Sequence, residues 1–227
     1  MSTLIPQFSI PTTEQVRNLR LKDGPNFSIA QEYLNNLQMD VVGNLYFPIY
    51  ALDGSPVGWN SRLISGPSRW SQFIQHDLTP RFCSWTQDVA ATIHLHRKIC
   101  ICEGPFDALA LAPVLPFVIS SNTARISNEI LWWCKMWGLD VFLALDQDTV
   151  DPRTGKATGQ AQTLKAKAEL ERYGCRVAVL DWETVGRGGT RIKDPAQAFA
   201  HWGPAFHSEV LTQVTNHVEI FNLVRNK

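Results

Sequence analysis

The sequence predicts an α/β protein in which a mainly parallel sheet is flanked by helices and preceded by a smaller mixed α+β subdomain. Of its 227 residues, 44% are hydrophobic, which is enough for a sizeable buried core. Beyond residue 98, apolar runs of strand length alternate with helix-length segments, as in parallel strands joined by helical crossovers. We therefore expect a helical and hairpin subdomain over 1–98, an α/β domain over 99–202 and a terminal helix over 203–227.

The N-terminal part carries two short helical segments followed by a hairpin. The helices are predicted over 12–21 and 28–37, and Ser28 is the predicted N-cap of the second. The runs 45–52 and 56–64 have the composition of strands, and the Asp-Gly pair between them is a hairpin signal. We therefore expect an antiparallel hairpin here.

The elements of the α/β domain follow one another as alternating strands and helices. The predicted strands are 99–102, 117–120, 141–145 and 176–180, and the predicted helices are 105–112, 127–137 and 159–173, with a packing helix over 204–223. On helix 127–137, Trp133 and Trp137 share a face that Trp132 does not, so core packing is expected for the pair and an exposed tryptophan is the alternative. His94 and His96 alternate as if near a strand.

Composition excludes several classes of protein. Lys and Arg together number 21, as do Asp and Glu, so any nucleic-acid binding depends on local basic patches. Five cysteines without a C-x-x-C pair argue against a disulfide framework and a zinc ribbon, and we expect reduced thiols, with Cys100 and Cys102 buried in a strand. The longest apolar run is broken by Pro113 and Pro116, so we expect no membrane span.

Acidic residues follow two of the predicted strands at the point where each strand ends. Glu103 comes directly after 99–102, and Asp146 and Asp148 follow the strand 141–145. Ligands of an open parallel sheet collect beyond these strand ends, where alternate residues can converge. Carboxylates this close repel one another unless a cation neutralises them, and oxygen ligands favour Mg²⁺. The pattern favours a metal site for phosphoryl or nucleotidyl chemistry, and the alternative is that these acids are solvated or cap helices.

The order of the motifs resembles that of a known family. The chain carries E-G-x-x-D-A-L-A-L from Glu103, D-x-D from Asp146, then a helix and a strand, and K-D-P-A from Lys193. This pattern covers about 100 residues and is similar to the TOPRIM domain of bacterial DnaG-type primases. Upstream, F-P-I and the segment V-G-W-N-S-R, which ends at Arg62, resemble the basic region that precedes TOPRIM in these primases.

The resemblance implies a nucleotidyltransferase that synthesises short primers on a single-stranded DNA template from nucleoside triphosphates. It implies that Glu103, Asp146 and Asp148 are the catalytic residues and bind Mg²⁺ or Mn²⁺, two ions in all, with general base as the alternative role of Glu103. Asp107 and Asp194 match family acids around the metal cluster, so the resemblance implies that they contribute to metal binding, with a surface or helix-capping carboxylate as the alternative for each.

Basic residues near these motifs are the candidate contacts to nucleic acid and to nucleotide phosphates. The segment 149–158 is a polar insertion that the family lacks, and it is either such a contact or a solvated loop. The glycine-rich stretch 186–193 is either a phosphate clamp or a flexible connection. In a further departure, Ala196 stands where the family often has an acid. The candidates are Arg62, Arg69, Lys98, Arg153, Lys156, Arg187, Arg191 and Lys193.

Two other functions stay open on the sequence alone. The same carboxylates and metals can hydrolyse a strand, so a TOPRIM nuclease is the first alternative, and a non-catalytic nucleic-acid-binding TOPRIM module is the second. The sequence has neither a zinc-ribbon pattern nor a P-loop, so we expect a catalytic core that needs a helicase or a separate template-recognition protein as partner. Such compact forms suit a phage or mobile element, and we expect a cytoplasmic location in a bacterial or phage-infected cell.

Overall fold

A ten-stranded sheet runs through the computed structural model, and helices pack against it. The structure describes residues 8–20, 24–51, 53–64, 70–74, 81–83, 88–123, 125–147, 159–182 and 192–225. The strands are β1 (Phe8–Ser9), β2 (Gln38–Asp40), β3 (Leu45–Ala51), β4 (Pro56–Arg62), β5 (Trp70–Ile74), β6 (Arg81–Cys83), β7 (Lys98–Cys102), β8 (Val118–Ser120), β9 (Asp140–Ala144) and β10 (Arg176–Val179). The helices are α1 (Thr13–Arg20), α2 (Gln31–Leu34), α3 (Val89–His96), α4 (Pro105–Leu111), α5 (Asn128–Trp137), α6 (Gly159–Arg172), α7 (Pro195–Trp202) and α8 (Pro204–Arg225).

Four parallel strands form the part of the sheet that positions the candidate site. Their order is β8, β7, β9, β10, and Cys102 at the end of β7 lies opposite Ser120 in β8 and Ala144 in β9. Helix α4 connects β7 to β8, α5 connects β8 to β9, and α6 connects β9 to β10. Every residue of β9 is buried, as expected for a parallel strand covered on both faces. The predicted mixed α/β architecture with a parallel sheet flanked by helices is confirmed.

The N-terminal strands join the same sheet. β3 and β4 form the predicted antiparallel hairpin, and β5 pairs with the far side of β4. β3 also pairs with β2 near its start and with β6 near its end. Because β6 pairs antiparallel with β8, the hairpin and the parallel strands are continuous. The domain bounds at 98 and 202 stay a prediction.

The second N-terminal helix is shorter than the sequence predicts. In place of a helix over 28–37, α2 forms a single turn and β2 follows it. Its N-cap is Ala30, so the prediction that Ser28 caps this helix is wrong. Leu34 and Leu37 are both buried, the first at the end of α2 and the second just before β2. Their spacing therefore reflects two separate contacts with the core and not one continuous helix.

The segment before β7 is a helix and not a strand. Helix α3 buries Val89 and Ile93, which are four residues apart and so lie on one helical face. It ends at Arg97, which adopts the left-handed conformation with φ 54°. His94 and His96 therefore lie near a strand, as expected, but on the last turn of the helix that precedes β7.

The tryptophans of α5 behave as the helical spacing predicts. Trp133 is fully buried, and its ring lies 5.8 Å from that of His94. Trp137 lies on the same side, with its ring centroid 3.9 Å from that of His94. Trp132 is 58% exposed on another face of the helix. Trp137 is itself 45% exposed, so the expected core packing holds for Trp133 only, and two tryptophans of this helix reach the surface.

Four cysteines are free thiols in the interior, namely Cys100, Cys102, Cys134 and Cys175. Burial raises the pKa of the Cys102 thiol well above its usual range, so this group stays neutral and acts as a small apolar residue. The side chain of Cys83 lies outside the described part of the chain. Within the described ranges, no helix combines the length and apolar character that crossing a membrane requires.

Candidate active site at the carboxyl edge

The parallel strands end at a common border, here called the carboxyl edge, which comprises residues 103–104, 121–123, 145–147, 180–182 and 192–194. Glu103 is the first residue after β7 and is partly exposed. Because Cys102 pairs with both β8 and β9, Glu103 projects from the central strand of the three. Asp146 follows β9 on the neighbouring strand end, so the structure brings these two predicted acids to adjacent positions.

The turn after Glu103 is formed by a glycine and a proline, which suit the start of the next helix. Gly104 is the N-cap of α4, and Pro105 is its first helical residue, where a missing N–H costs nothing. A Cβ atom on Gly104 would lie 2.9 Å from Oδ2 of Asp107, which is closer than normal contact allows. The sequence Glu-Gly-Pro therefore ends a buried strand and starts a helix within two residues, and this leaves the Glu103 carboxylate at the edge.

Asp107 joins two helices from inside the protein. Its Oδ2 accepts the N–H of Gly104 at 2.9 Å, and its Oδ1 accepts the N–H of Ala196 in α7 at 3.0 Å. The side chain is only 6% exposed. Burial, followed by the negative charges of Asp194 and Asp146, raises the pKa of Asp107 well above its usual range. Asp107 thus fixes the N-termini of α4 and α7 relative to each other, and its predicted role in metal binding stays a prediction.

Gln147 holds the segment after β9 in place. Its backbone N–H donates to the carbonyl of Lys193 at 2.7 Å, and its side-chain amide donates to the carbonyl of Leu180 at 2.7 Å. The amide oxygen of Gln147 accepts the N–H of Trp182 at 3.1 Å. These bonds tie the residue after Asp146 to the end of β10 and to the segment that precedes α7. The backbone next to Asp146 is consequently held by hydrogen bonds to two other segments of the carboxyl edge.

The K-D-P-A motif forms the entry to α7. Asp194 is the N-cap, and its Oδ1 accepts the N–H of Gln197 at 2.7 Å, while Pro195 occupies the first helical position. The ammonium of Lys193 lies 2.8 Å from Oδ2 of Asp146 and 3.6 Å from Oδ2 of Asp194. The motif therefore supplies a cap for the helix and a cation that contacts the acid after β9.

Two asparagines that the sequence reasoning missed connect the hairpin to the carboxyl edge. Asn60 of β4 donates to Oδ1 of Asn122 at 2.9 Å, and Ser120 donates to the same oxygen at 3.0 Å. Asn122 has φ 61°, a conformation that asparagine tolerates better than most residues. Arg62 lies two residues after Asn60 and so points to the same side of β4. An asparagine two residues after a strand was the one local signal for this contact.

Apart from Arg62 in β4, the predicted site residues fall into three groups. Five of them lie at the carboxyl edge or directly behind it: Glu103, Asp107, Asp146, Lys193 and Asp194. Lys98 is not brought to them, because it begins β7, about 16 Å of strand away from Glu103 at 3.3 Å per residue. The predictions for Asp148, Arg69, Arg153, Lys156, Arg187 and Arg191 fall outside the described residues.

The donor set at the edge suits a hard divalent cation. Glu103 and Asp146 offer carboxylate oxygens from adjacent strand ends, and Mg²⁺ is commonly held by one or two carboxylates together with water and phosphate oxygens. Burial is the main cause of the raised pKa of Asp107, and the negative charges of Asp194 and Asp146 raise it further. Among the described residues, no group of three or more His, Cys, Asp or Glu side chains is placed to hold a metal ion. The metal site therefore stays a prediction.

No protein family model and no curated protein matches this sequence. Solved structures do match its fold. The primase fragment of the bacteriophage T7 primase-helicase has a TM-score of 0.58 at 14% identity, with 92% of this chain and 76% of that chain covered. The primase of Aquifex aeolicus has a TM-score of 0.55 at 16% identity, and the match covers 92% of this chain and 50% of that one.

The RNA polymerase domain of the Mycobacterium tuberculosis primase DnaG has a TM-score of 0.54 at 17% identity, with 78% of this chain and 57% of that chain covered. The chain thus spans only about half the length of the two bacterial structures. At identities this low, these structural matches establish similarity of fold alone. The fold of this chain is similar to that of DnaG-type primase fragments.

Proposed function

We propose that this protein is a primase-type nucleotidyltransferase of the TOPRIM class, which synthesises short primers on a single-stranded DNA template from nucleoside triphosphates. The observation that carries the proposal is the placement of Glu103 and Asp146 at adjacent strand ends, on a fold similar to that of primase fragments. Acids beyond the carboxyl ends of parallel strands lie where such sheets bind ligands.

In this proposal Glu103, Asp146 and Asp148 hold two Mg²⁺ or Mn²⁺ ions. When bound, such ions lower the pKa of an attacking hydroxyl and stabilise a leaving pyrophosphate. The protein contributes rigid placement of the acids: the backbone of Gln147 bonds to Lys193, and Asp107 fixes the start of the helix that follows Glu103. The carboxylate of Asp194 lies 3.6 Å from the ammonium of Lys193 and adds a negative charge beside Asp146, which strengthens the attraction for a cation.

Basic residues around the edge are proposed to bind the phosphates of template, nucleotide and product. Lys193 already lies at the acids, and Arg62 lies on the side of β4 that contacts the edge through Asn60. The segments that carry Arg69, Arg153, Lys156, Arg187 and Arg191 would extend this basic surface. Lys98, at the opposite end of β7, would contact nucleic acid away from the reaction centre.

A partner is proposed to complete initiation. One of the similar structures contains bacteriophage T7 lagging-strand DNA polymerase with the primase domains of two gp4 subunits, bound to an RNA/DNA hybrid and dTTP; it covers 92% of this chain at 15% identity with a TM-score of 0.54. By analogy, we propose that this chain works beside a helicase or a separate template-recognition protein on single-stranded DNA.

The experiment that tests this function measures synthesis and cleavage side by side. The protein is incubated with single-stranded DNA of mixed sequence, labelled nucleoside triphosphates and Mg²⁺ or Mn²⁺, and a second reaction contains an end-labelled oligonucleotide. Template-dependent labelled oligomers are expected, and Asp146→Asn should abolish them whereas Glu14→Gln, on the exposed face of α1, should not. Cleavage of the oligonucleotide without synthesis would identify a nuclease instead. If Asp146→Asn still forms the product that the unaltered protein forms, Asp146 is not a catalytic residue.

A further inference from the structure

The ammonium of Lys193 lies between two carboxylates at the candidate metal site. It is 2.8 Å from Oδ2 of Asp146 and 3.6 Å from Oδ2 of Asp194. The Asp146 and Asp194 side chains are 15% and 10% exposed, whereas that of Lys193 is 40% exposed. A positive charge thus already contacts one carboxylate oxygen of Asp146, which is a proposed metal ligand.

This contact is built into the backbone. The N–H of Gln147 donates to the carbonyl of Lys193 at 2.7 Å, and the N–H of Lys193 donates to Oε1 of Gln197 at 3.2 Å. The residue after Asp146 is therefore bonded directly to Lys193, although 46 positions separate Gln147 from Lys193 in the sequence. The α-carbon of Lys193 is fixed next to Asp146, and only its flexible side chain is left to move.

Charge decides what happens when a second cation arrives. Asp194 and Asp146 both raise the pKa of Asp107, so their negative charges act together on a buried neighbour. Lys193 reduces this excess of negative charge when no metal is bound. A divalent ion on Asp146 would lie within a few ångströms of the ammonium, and two cations at that separation repel strongly in a partly buried site. The carboxylate cannot hold both at full strength.

We propose that Lys193 is an internal counter-ion of the metal site: its ammonium neutralises Asp146 before the divalent ion binds, and it leaves Asp146 when the ion takes its place. This inference rests on the proposed function, because it takes Asp146 as a metal ligand. The exposed methylene chain lets the displaced ammonium turn toward solvent, where it meets the phosphates of an incoming nucleotide. Lys193 thereby sets the affinity of the site for metal and acts as a positioning residue.

The test measures Mn²⁺ binding directly, by electron paramagnetic resonance of the free ion during a titration of the nucleotide-free protein. Lys193→Gln should bind Mn²⁺ about 10-fold more tightly than the unaltered protein, because one competing positive charge is gone. Lys193→Arg keeps the charge and should bind with close to the unaltered affinity. Lys167→Gln is the matched control, since Lys167 pairs with Glu171 on the surface of α6, and its affinity should not change.

The outcomes separate this inference from the proposed function. If the unaltered protein binds Mn²⁺ and Lys193→Gln binds it equally well or more weakly, the counter-ion role is overturned and the metal site stands. If no Mn²⁺ binds to the unaltered protein, the proposed function fails and the inference fails with it. The exchange is supported only if Lys193→Gln binds Mn²⁺ more tightly than the unaltered protein while Lys193→Arg and Lys167→Gln do not.

A second measurement needs no loss of the lysine. The Nζ resonance of Lys193 is followed by nitrogen-15 NMR in the unaltered protein as Mg²⁺ is added, and it is assigned from its absence in Lys193→Arg. Exchange predicts that this resonance moves with the same midpoint as Mg²⁺ binding, while that of Lys167 stays fixed. A Lys193 resonance that does not respond while Mg²⁺ binds would overturn the inference, even if Lys193→Gln fails to fold.

Discussion

Charged side chains lie at both ends of the parallel strands, but the balance of charge differs between the ends. At the start of β9 and β10, here called the amino edge, Nε of Arg176 donates to Oδ1 of Asp140 at 2.7 Å. Arg176 also donates to the carbonyl of Phe221 at 2.9 Å and lies over its ring. At the carboxyl edge, Asp146 and Asp194 both contact the ammonium of Lys193, and their negative charges contribute to the raised pKa of Asp107 behind them, after the larger effect of burial.

The difference teaches that buried charge alone does not mark a functional site. At the amino edge one carboxylate accepts a hydrogen bond from one guanidinium, so the two charges balance. Another donor of Arg176 bonds to the carbonyl of Phe221. At the carboxyl edge Lys193 contacts two acids, and the pKa of Asp107 is still raised well above its usual range. An excess of one charge, at the place where sheets bind ligands, is the feature that points to chemistry.

The largest effect is expected from Glu103→Gln at the carboxyl edge. The substitution keeps the size and hydrogen bonding of the side chain and removes its charge. If Glu103 binds metal or moves a proton, primer synthesis should fall by about 10²–10⁴. Because one negative charge leaves a crowded acidic region, the stability of the metal-free protein should hold or rise. A primer-synthesis assay and a thermal melt of the same preparation check both parts.

The control for Glu103→Gln is Glu129→Gln, which removes a partly exposed acid from the first turn of α5. Its synthesis should match that of the unaltered protein. Full synthesis by a folded Glu103→Gln variant would contradict the catalytic role of Glu103 and would leave this acid with a local role at the strand end.

A smaller and different effect is expected from Asp140→Ala at the amino edge. The substitution leaves the guanidinium of Arg176 without its carboxylate partner, although the bond to Phe221 stays. Removing one partner of a partly buried pair should lower the free energy of unfolding by about 2–3 kcal/mol, below the cost for a fully buried charge. Urea denaturation measures this loss, and Asp140→Asn, which keeps an acceptor, should lose less.

Synthesis per folded molecule should not change in Asp140→Ala, because this pair lies at the opposite end of the strands from Glu103. A folded Asp140→Ala variant that lost synthesis and also bound Mn²⁺ more weakly would contradict the claim that the amino edge has no part in the chemistry. Such a result would show that charge at the amino edge reaches the site through the sheet.

The contrast between the edges also shows what could be predicted from the sequence. The four parallel strands and three crossover helices were predicted to within one residue at each end, because each is a local run with a clear period. That Glu103 and Asp146 follow adjacent strands was predictable too, since carboxyl ends of parallel strands share one border. The contact of Lys193 with Asp146 was not, because it depends on how a segment 47 residues away folds back.

The same reason explains the role of Asp107. Its bond to Gly104 is a local helix cap, which the sequence allows, but its bond to Ala196 spans 89 positions. Helix α7 itself was missed, although Asp194 and Pro195 form an ordinary helix start. The sequence left a capping carboxylate as the alternative for Asp107 and Asp194, and both acids do cap helices in the structure.

The smallest effect is expected at a histidine that belongs to neither edge. His207 of α8 lies with Nε2 at 3.0 Å from the carbonyl of Ala110 in α4, and its ring stacks on Phe199 at 4.8 Å between centroids. Burial lowers the pKa of His207 from its ordinary value of 6.5, so the folded protein favours the neutral ring. The unfolded chain therefore binds more protons between the folded pKa and 6.5, and stability is lost as the pH falls through this window.

His207→Gln should remove this contribution while it keeps a donor for Ala110. The drop in melting temperature between pH 7 and pH 5 should be smaller in the variant by about 1 °C, a modest value because the ring is only half-buried. Synthesis at pH 7 should be unchanged, since His207 packs α8 on α4 behind the acids and does not reach the carboxyl edge. Equal pH-dependent losses in the two proteins would show that His207 titrates alike in the folded and unfolded states. A synthesis defect at pH 7 would instead show that the packing of α4 against α8 sets the position of Glu103. His207 would then contribute to the active site through this packing and not to stability alone.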